Sequence, residues 1–372
     1  MQLLREGYHE RLFLLPGKRA GRVVRKQAKS EENDTLLTEI NWLEELPRTT
    51  RRSFPRVLRS RKAWEGEQAV FYDMPYFDEE WGLLSDLILT QTVDRESALA
   101  LMGRVMEVMS EEIYPVTYPE EAHAYPGRLV ALLERCLLRI PALPAFQPFI
   151  VADTIRLNGV ECQNVFPLFE QIKADPCLRA SLQPVTMCKV HGDLYPENVL
   201  VRLSTLRHRR PHVMILDPIA AIGLSRGDFA MDIAKYKSWL STELPALRLG
   251  LFSIEQERRA IPAFTFSLDR KDERLQVLGD GYLLREFLQL FQTTPWGQSL
   301  SAEDPSWWQR VSFYEALYAL SMVPLVPPWQ SLARFLVGVQ HLHTFISASR
   351  VDGLSVARRP PASLNCMLAT DY

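Results

Sequence analysis

The chain has 372 residues, of which 47% are apolar and 24% are charged, a balance that predicts a globular protein with a large core and two or three lobes. A formal net charge of −2 excludes a global positive field that would recruit nucleic acid. The five cysteines are scattered without a C-x-x-C pair, and no stretch is long and apolar enough for a signal peptide or a membrane span. We therefore expect a cytoplasmic protein that binds neither nucleic acid nor membrane.

The N-terminal part of the chain predicts a small mixed lobe of strands and one helix. Apolar runs at 12–15 and 22–24, joined by a turn rich in Pro and Gly, predict a hairpin. Asp34 can cap the helix that follows. A further apolar run at 68–77 predicts a strand that continues into an extended, proline-marked segment. These elements define a predicted N-terminal lobe over residues 1–77.

The remainder of the chain is predicted to be mainly helical. Apolar residues recur there at helical spacing, and the predicted helices are 83–89, 96–113, 128–139, 233–240, 281–291, 307–322 and 332–348. The interval 140–185 holds several prolines and yields no clear element. We therefore expect a large helical lobe over residues 78–372, which contains one short hairpin.

That hairpin carries the most informative pattern of the chain. The stretch from His191 to Asn198 reads H-x-D-x-x-x-x-N between two apolar runs, and Asp217 ends the next apolar run. Strands at these runs would deliver Asp193, Asn198 and Asp217 to one place. Phosphoryl transfer from a nucleotide requires such a set, namely a carboxylate that receives a proton and oxygen ligands that hold Mg²⁺. The pattern therefore predicts a nucleotide-dependent phosphotransferase.

This stretch resembles the catalytic core of the aminoglycoside phosphotransferase and choline kinase-like group, small-molecule kinases with a protein-kinase-like fold. A second run, from Asp217-Pro218 to Asp232-Ile-Ala-Lys235, particularly resembles the phosphotransferases of capsule and polysaccharide biosynthesis. The resemblance implies an α+β, two-lobed protein-kinase-like fold with a small mixed N-lobe and a large, mostly helical C-lobe. It also implies phosphorylation of a hydroxyl on a sugar or another biosynthetic intermediate, with ATP or another nucleoside triphosphate and Mg²⁺. Aminoglycoside and choline-like acceptors remain open, as does the oligomeric state.

Four residues of the hairpin receive roles. We assign Asp193 as the residue that orients and deprotonates the acceptor hydroxyl, because a positioned base contributes on the order of 10²–10⁴ in rate. Asn198 and Asp217 are predicted to bind Mg²⁺ through oxygen, the ligand type that this hard ion requires. His191 is expected to order the loop by hydrogen bonding rather than to titrate in the reaction.

Two further aspartates follow the site. Asp232 lies at the start of a predicted helix, where a carboxylate can cap backbone amides. In the resembling kinases the matching aspartate braces the catalytic loop from beneath, and we expect Asp232 to do the same. Asp228 is left open between turn chemistry and support of the loop.

The N-terminal lobe is expected to bind the nucleotide phosphates through a cation paired with a helix glutamate. Glu39 on the predicted helix is the candidate glutamate. The cation is Arg25 or Lys26, and strand alternation allows only one of the two to face the site.

Adenine is expected to bond to the backbone at the end of the strand predicted over 68–77. Pro75 has no N–H, so the amide of Met74 or Tyr76 must donate. No G-x-G-x-x-G exists to cover the phosphates, and Gly7 or the turn at 17–21 would have to serve. The N-terminal stretch is also too short for all the usual strands of a kinase N-lobe, so we expect a reduced sheet.

Two other functions fit the same residues. A pseudokinase would bind nucleotide or a regulatory partner without turnover. The missing glycine loop favours that reading, and the complete set Asp193, Asn198 and Asp217 opposes it. A nucleotidyl (AMP) transferase would use the same residues with the nucleotide bound in the opposite sense. The mass added to the product separates the two kinds of transfer.

Overall fold

The structure, a computed structural model, describes residues 1–7, 10–15, 22–29, 34–47, 50–63, 69–140, 143, 146–150, 152–219, 223–257 and 261–353. The chain divides into two compact units. Unit 1 consists of Met1–Val116 and Lys189–Gly227, and unit 2 consists of Thr117–Cys188 and Asp228–Tyr372. The predicted lobe boundary after residue 77 does not coincide with any boundary between these two units, and it stays a prediction.

Unit 1 begins with a five-stranded antiparallel sheet in the order β1-β2-β3-β5-β4. Its strands are β1 Gln2–Glu6, β2 Glu10–Leu15, β3 Val23–Ala28, β4 Arg59–Arg61 and β5 Phe71–Pro75. Helix α1 Asp34–Glu44 follows β3 and buries Leu36, Ile40 and Leu43, the spacing of one helix face. Since the sheet has five strands, the expectation of a reduced sheet was wrong. Strands β1 and β4 were not predicted because their residues are exposed or half-buried and show no apolar alternation in the sequence.

The first segment of unit 1 ends in helices that agree with the predictions at 83–89 and 96–113. After β6 Trp81–Leu83 come α2 Leu84–Leu89 and α3 Arg95–Val108, and a π turn continues α3 over Met109–Ile113. Asp94 caps α3, because its side chain accepts a hydrogen bond of 2.7 Å from the Ser97 amide.

Unit 2 opens with a helix that agrees with the prediction at 128–139 and continues through the interval 140–185, for which no clear element was predicted. The elements of this segment are α4 Tyr125–Arg139, α5 Gln147–Ile150, β7 Thr154–Leu157, β8 Val160–Gln163, α6 Val165–Ala174, α7 Pro176–Ser181 and β9 Cys188–Lys189, whose second residue already belongs to unit 1. The hairpin β7–β8 turns at Asn158 and Gly159, whose φ angles of 51° and 82° suit a two-residue turn. The Asn-Gly pair is a hairpin signal that the sequence analysis missed.

The second segment of unit 1 forms the scaffold of the predicted site. It contains β10 Val199–Arg202, β11 Val213–Ile215 and β12 Arg226–Gly227. Strand β10 lies between β6 and β11 in a three-stranded antiparallel sheet. Val199 pairs with Ile215, so the residues just outside this pair, Asn198 and Leu216, are neighbours.

The rest of unit 2 is mainly helical. Its elements are α8 Ala230–Leu240, α9 Glu243–Leu249, β13 Phe252–Glu257, β14 Ala263–Leu268, α10 Gln276–Gly279, α11 Tyr282–Thr293, α12 Pro295–Glu303, α13 Trp307–Met322 and α14 Pro328–Gly353. Strands β13 and β14 join β7 and β8 in one four-stranded sheet. Helix α13 packs against α4, α8 and α14 and is buried on nearly all sides, as expected of a central helix.

The predicted α+β class is confirmed, with a sheet-rich N-terminal part and a helical C-terminal part. The helices predicted at 233–240, 281–291, 307–322 and 332–348 are all present, and none of their ends differs from the prediction by more than five residues. In the part of the chain that the structure describes, no helix combines the length and apolar character that crossing a bilayer requires.

Candidate active site

His191 holds the two halves of the site together. Its Nδ1 accepts a hydrogen bond of 3.2 Å from the amide of Asp193, so Nε2 carries the ring proton and donates to the carbonyl of Leu216 at 2.9 Å. The side chain is fully buried, and burial lowers the pKa of His191 to about 4. The ring is therefore neutral near pH 7 and ties the loop after β9 to the segment after β11.

Asn198 fixes the orientation of Asp193. The Asn198 amide nitrogen donates to the Asp193 carbonyl at 2.9 Å and to its carboxylate Oδ2 at 3.1 Å. The backbone of Asn198 is fixed in turn, because its carbonyl accepts a hydrogen bond of 2.7 Å from the Leu216 amide. Both donor hydrogens of the Asn198 side chain point toward Asp193, which leaves the amide oxygen to bind a cation.

Asp217 lies in a backbone conformation that its neighbours impose. Its φ of 53° is left-handed, and Ile219, a β-branched residue, follows with a φ of 75°. The Ile219 amide donates to the His191 carbonyl at 2.7 Å, which holds the turn in place. Such strain is typical of functional sites, because the surrounding contacts must stabilise a conformation that the sequence disfavours.

The carboxylate of Asp217 contacts Lys26. Lys26 Nζ lies 3.1 Å from Asp217 Oδ1, and the Asp217 side chain keeps 29% of its surface exposed. Burial pushes the pKa of Asp217 upward, but the charge and the hydrogen bond of Lys26, together with smaller contributions from Arg5 and His191, outweigh it, so the pKa lies below the usual value. Asp217 is therefore ionised at neutral pH, as a ligand of a divalent cation must be.

Lys26 is also paired with Glu39. Its Nζ donates to the two Glu39 carboxylate oxygens at 2.8 and 3.0 Å, and the Tyr72 hydroxyl donates to Glu39 at 2.7 Å. Burial alone would lower the pKa of Lys26, but the carboxylates of Asp217 and Glu39 raise it above its ordinary value. Lys26 is thus a permanent buried charge that links α1 to the turn after β11. Tyr72 was not among the predicted residues, although it lies opposite Lys26 in the sheet.

Arg25 lies on the other face of β3. Its guanidinium forms two hydrogen bonds with Asp73, of 2.7 and 3.0 Å, and lies 3.8 Å from the centre of the Phe71 ring. Of the two candidate cations, the structure therefore brings Lys26 and not Arg25 to Asp217 and Glu39. A role for Arg25 in binding nucleotide has no support from this geometry.

The predicted adenine donors are engaged in the sheet. The Tyr76 amide donates to the Arg22 carbonyl at 3.0 Å, and the same alternation directs the Met74 amide toward Val24. The prediction that one of these amides binds adenine is therefore corrected. Pro75 lies between Met74 and Tyr76 with the opposite parity, so its carbonyl is directed away from β3.

The two glycine candidates for a phosphate-covering loop differ in what the structure describes. The Gly7 amide donates to the Glu10 carbonyl at 2.9 Å and closes the turn between β1 and β2. The turn at 17–21 lies outside the described residues. Gly7 therefore does not present its amide to a phosphate.

Asp228 belongs to a buried network inside unit 2. Its Oδ1 accepts a hydrogen bond of 2.6 Å from the Ala230 amide at the start of α8. Its Oδ2 accepts hydrogen bonds from Arg310 Nε at 2.7 Å and from the Tyr314 hydroxyl at 2.8 Å. Asp228 thus combines turn chemistry with support of the helical core. No pattern in the sequence indicated that Arg310 would be its partner. Asp232 is fully buried in the first turn of α8, and its bracing role stays a prediction.

The donor atoms present suit Mg²⁺. Asn198 offers an amide oxygen and Asp217 an ionised carboxylate, both oxygen ligands from neighbouring strand ends. Among the described residues no group of three or more His, Cys, Asp or Glu side chains forms a metal site. Mg²⁺ does not need one, because it usually binds through one or two protein groups together with substrate phosphates and water.

Comparison with known proteins gave structural matches but no sequence match. No family model and no curated protein matches the chain. Choline kinase from Cryptosporidium parvum Iowa II is similar at 12% identity, 93% coverage of this chain, 90% of that chain and a TM-score of 0.48. Ethanolamine kinase from Plasmodium vivax is similar at 8% identity, 94% and 81% coverage and a TM-score of 0.48. Both carry the names of small-molecule kinases, the group that the motif resembles, but similarity at this level leaves the reaction to be inferred from the chain's own residues.

Proposed function

We propose that the chain is a phosphotransferase that moves the terminal phosphoryl group of a nucleoside triphosphate to a hydroxyl of a small molecule. The observation that supports this most is the set of contacts that unit 1 makes around Asp217. Lys26, held by Glu39, lies 3.1 Å from Asp217, and His191 bonds to the residue before it. A cation for phosphates, oxygen ligands for a metal and a carboxylate base are thus joined in one network.

Asp193 is the proposed base. It accepts the proton of the acceptor hydroxyl as the acceptor oxygen bonds to the terminal phosphorus. The bond from that phosphorus to the bridging oxygen breaks, and the nucleoside diphosphate leaves with the electron pair. The hydrogen bond from Asn198 to Asp193 Oδ2 holds the carboxylate in one orientation, which reduces the entropy that positioning would otherwise cost.

Asn198 and Asp217 are the residues that would hold Mg²⁺. When bound, this ion neutralises charge on the phosphates. Lys26, which contacts Asp217, supplies a second positive charge to the phosphates, and its hydrogen bonds to Glu39 hold the ammonium group in place. For adenine, we propose the Pro75 carbonyl, which β5 directs away from β3, and the Phe77 amide, which lies two residues further along the chain, as the hydrogen-bonding groups.

The proposed acceptor is a sugar, a polyol or a related biosynthetic intermediate. This part of the proposal depends on the resemblance of residues 217–235 to capsule and polysaccharide phosphotransferases, and it is therefore the part to test most broadly. Amino alcohols and aminoglycosides belong in the same panel.

The test incubates the purified protein with nucleotide, Mg²⁺ and each acceptor of that panel. Turnover is measured through the release of nucleoside diphosphate and through the mass of the product. A product heavier by one phosphoryl group, absent with Asp193→Ala, supports the proposal. A product heavier by a nucleoside monophosphate indicates nucleotidyl transfer instead. Nucleotide binding without turnover on any acceptor indicates a pseudokinase, and the absence of both binding and turnover refutes the proposal.

A further inference from the structure

Arg5 on β1 shares a sheet face with Lys26. In the antiparallel register Arg5 lies opposite Leu12, Leu12 lies opposite Lys26, and Lys26 lies opposite Tyr72. Directly opposed residues of antiparallel strands place their side chains on the same face. Arg5 is therefore two strands away from Lys26, roughly 10 Å across the sheet, on the face that carries Glu39 and Asp217.

A β-bulge gives Arg5 this orientation. The register of β1 against β2 shifts between Leu3 and Arg5, so that Leu3 lies opposite Phe13 while Arg5 lies opposite Leu12. Without the bulge, Arg5 would share a face with Leu3, which is the face of Arg25. Bulges that redirect one side chain are common next to functional sites.

The environment of Arg5 leaves its charge available. Arg5 is exposed, and among the described residues it forms no ion pair. Its charge nevertheless reaches the site, because Arg5 is among the positive groups that interact electrostatically with Asp217.

The described part of the turn beside Arg5 leaves no backbone amide for a phosphate. A glycine-rich loop binds phosphates through several backbone amides that point at the ligand. Gly7 is the one residue between β1 and β2 that the structure describes, and its amide is bonded to the Glu10 carbonyl. An arginine can replace those amides, because its planar guanidinium donates to two phosphate oxygens at once.

We propose that Arg5 binds the phosphate chain of the nucleotide and thereby takes the place of the glycine-rich loop that the sequence lacks. This inference rests on the proposed function, since it assigns a residue to the same nucleotide site. It adds to Lys26 a second cation, from the edge strand of the sheet.

The experiment compares Arg5→Ala with Arg11→Ala in the full chain. Arg11 is the matched control, because it is an exposed arginine on the neighbouring strand β2. Its side chain lies on the sheet face of Arg25, opposite to the face of Arg5 and Lys26. Titration calorimetry with ATP, ADP and adenosine measures binding independently of turnover. Arg5→Ala should weaken ATP binding about 10-fold, the size of one charge-assisted hydrogen bond, and should leave adenosine binding unchanged.

Two further results complete the test. Arg5→Lys should recover part of the loss, because it keeps the charge without the bidentate geometry, and the melting temperature of Arg5→Ala should stay near that of the wild type. Equal ATP affinity of Arg5→Ala and Arg11→Ala would overturn the inference and leave the proposed function intact. Wild-type protein that binds no nucleotide would instead refute the proposed function itself.

Discussion

Replacing Lys26 with methionine should affect both stability and nucleotide binding, because Lys26 forms ion pairs with two carboxylates at once. Its side chain is 6% exposed and that of Glu39 is 3% exposed, so this pair belongs with buried ion pairs. Lys26→Met keeps approximately the length of the side chain but leaves Glu39 without an ion-pair partner in the interior and Asp217 without its cation. Removing one partner of a buried pair costs about 3–5 kcal/mol, compared with at most about 1 kcal/mol for an exposed pair.

Urea unfolding measures this cost. We expect the urea concentration at the midpoint of unfolding to fall. The slope of the unfolding free energy against urea concentration should stay unchanged, which shows that stability has changed and the compactness of the unfolded state has not. Protonation of the orphaned carboxylates should restore part of the loss, so the difference between wild type and variant should shrink as the pH falls. At neutral pH and below the melting temperature of the variant, nucleotide affinity should also fall.

Arg25→Met is the matched control for Lys26→Met. Arg25 is the adjacent residue of the same strand, and its pair with Asp73 is 21% and 9% exposed and lies on the opposite face. It should cost about 1–2 kcal/mol and leave nucleotide affinity unchanged. A loss below 1 kcal/mol for Lys26→Met, or a larger fall in nucleotide affinity for Arg25→Met, would refute the reasoning.

Three further predictions concern Asp193, His191 and Arg310. Asp193→Ala should lower turnover by roughly 10²–10⁴ and leave nucleotide affinity within twofold; near-wild-type turnover would show that Asp193 is not the base. Because burial lowers the pKa of His191 from 6.5 to about 4, the imidazole is protonated at a higher pH in the unfolded chain than in the folded protein. The neutral, buried His191 therefore contributes fully to the free energy of unfolding above pH 6.5, and about 3 kcal/mol of this free energy is lost as the pH falls to 4. In urea unfolding, the stability of His191→Asn should depend less steeply on pH over this range. Arg310→Met should cost about 3–5 kcal/mol because it leaves Asp228 unpaired and buried, and Asp228→Asn added to it should recover part of that loss; an unchanged unfolding midpoint would contradict the buried network.

The sequence by itself determined the parts of the site that are close along the chain. His191, Asp193 and Asn198 lie in one loop, and their contacts with each other need no long-range information. Asp217 follows through a hairpin, whose pairing places strand ends side by side. The amphipathic spacing of the helices was equally local, since each helix repeats its own apolar face.

The tertiary structure decided which face each strand residue occupies. Strand side chains alternate with period two, so a sequence shows that Arg25 and Lys26 differ in direction but not which of them faces Glu39. The same parity moved the proposed adenine contact away from Met74 and Tyr76, because only the pairing with β3 shows which amides the sheet uses.

The bulge in β1 and the buried contact between Asp228 and Arg310 were likewise beyond the sequence. The bulge exists only relative to the partner strand, and 82 residues separate Asp228 from Arg310. Local patterns therefore revealed the chemical groups, and packing between distant segments selected which of them meet. The physical reason is that backbone geometry fixes short-range spacing, whereas register and burial depend on partners that the chain supplies from elsewhere.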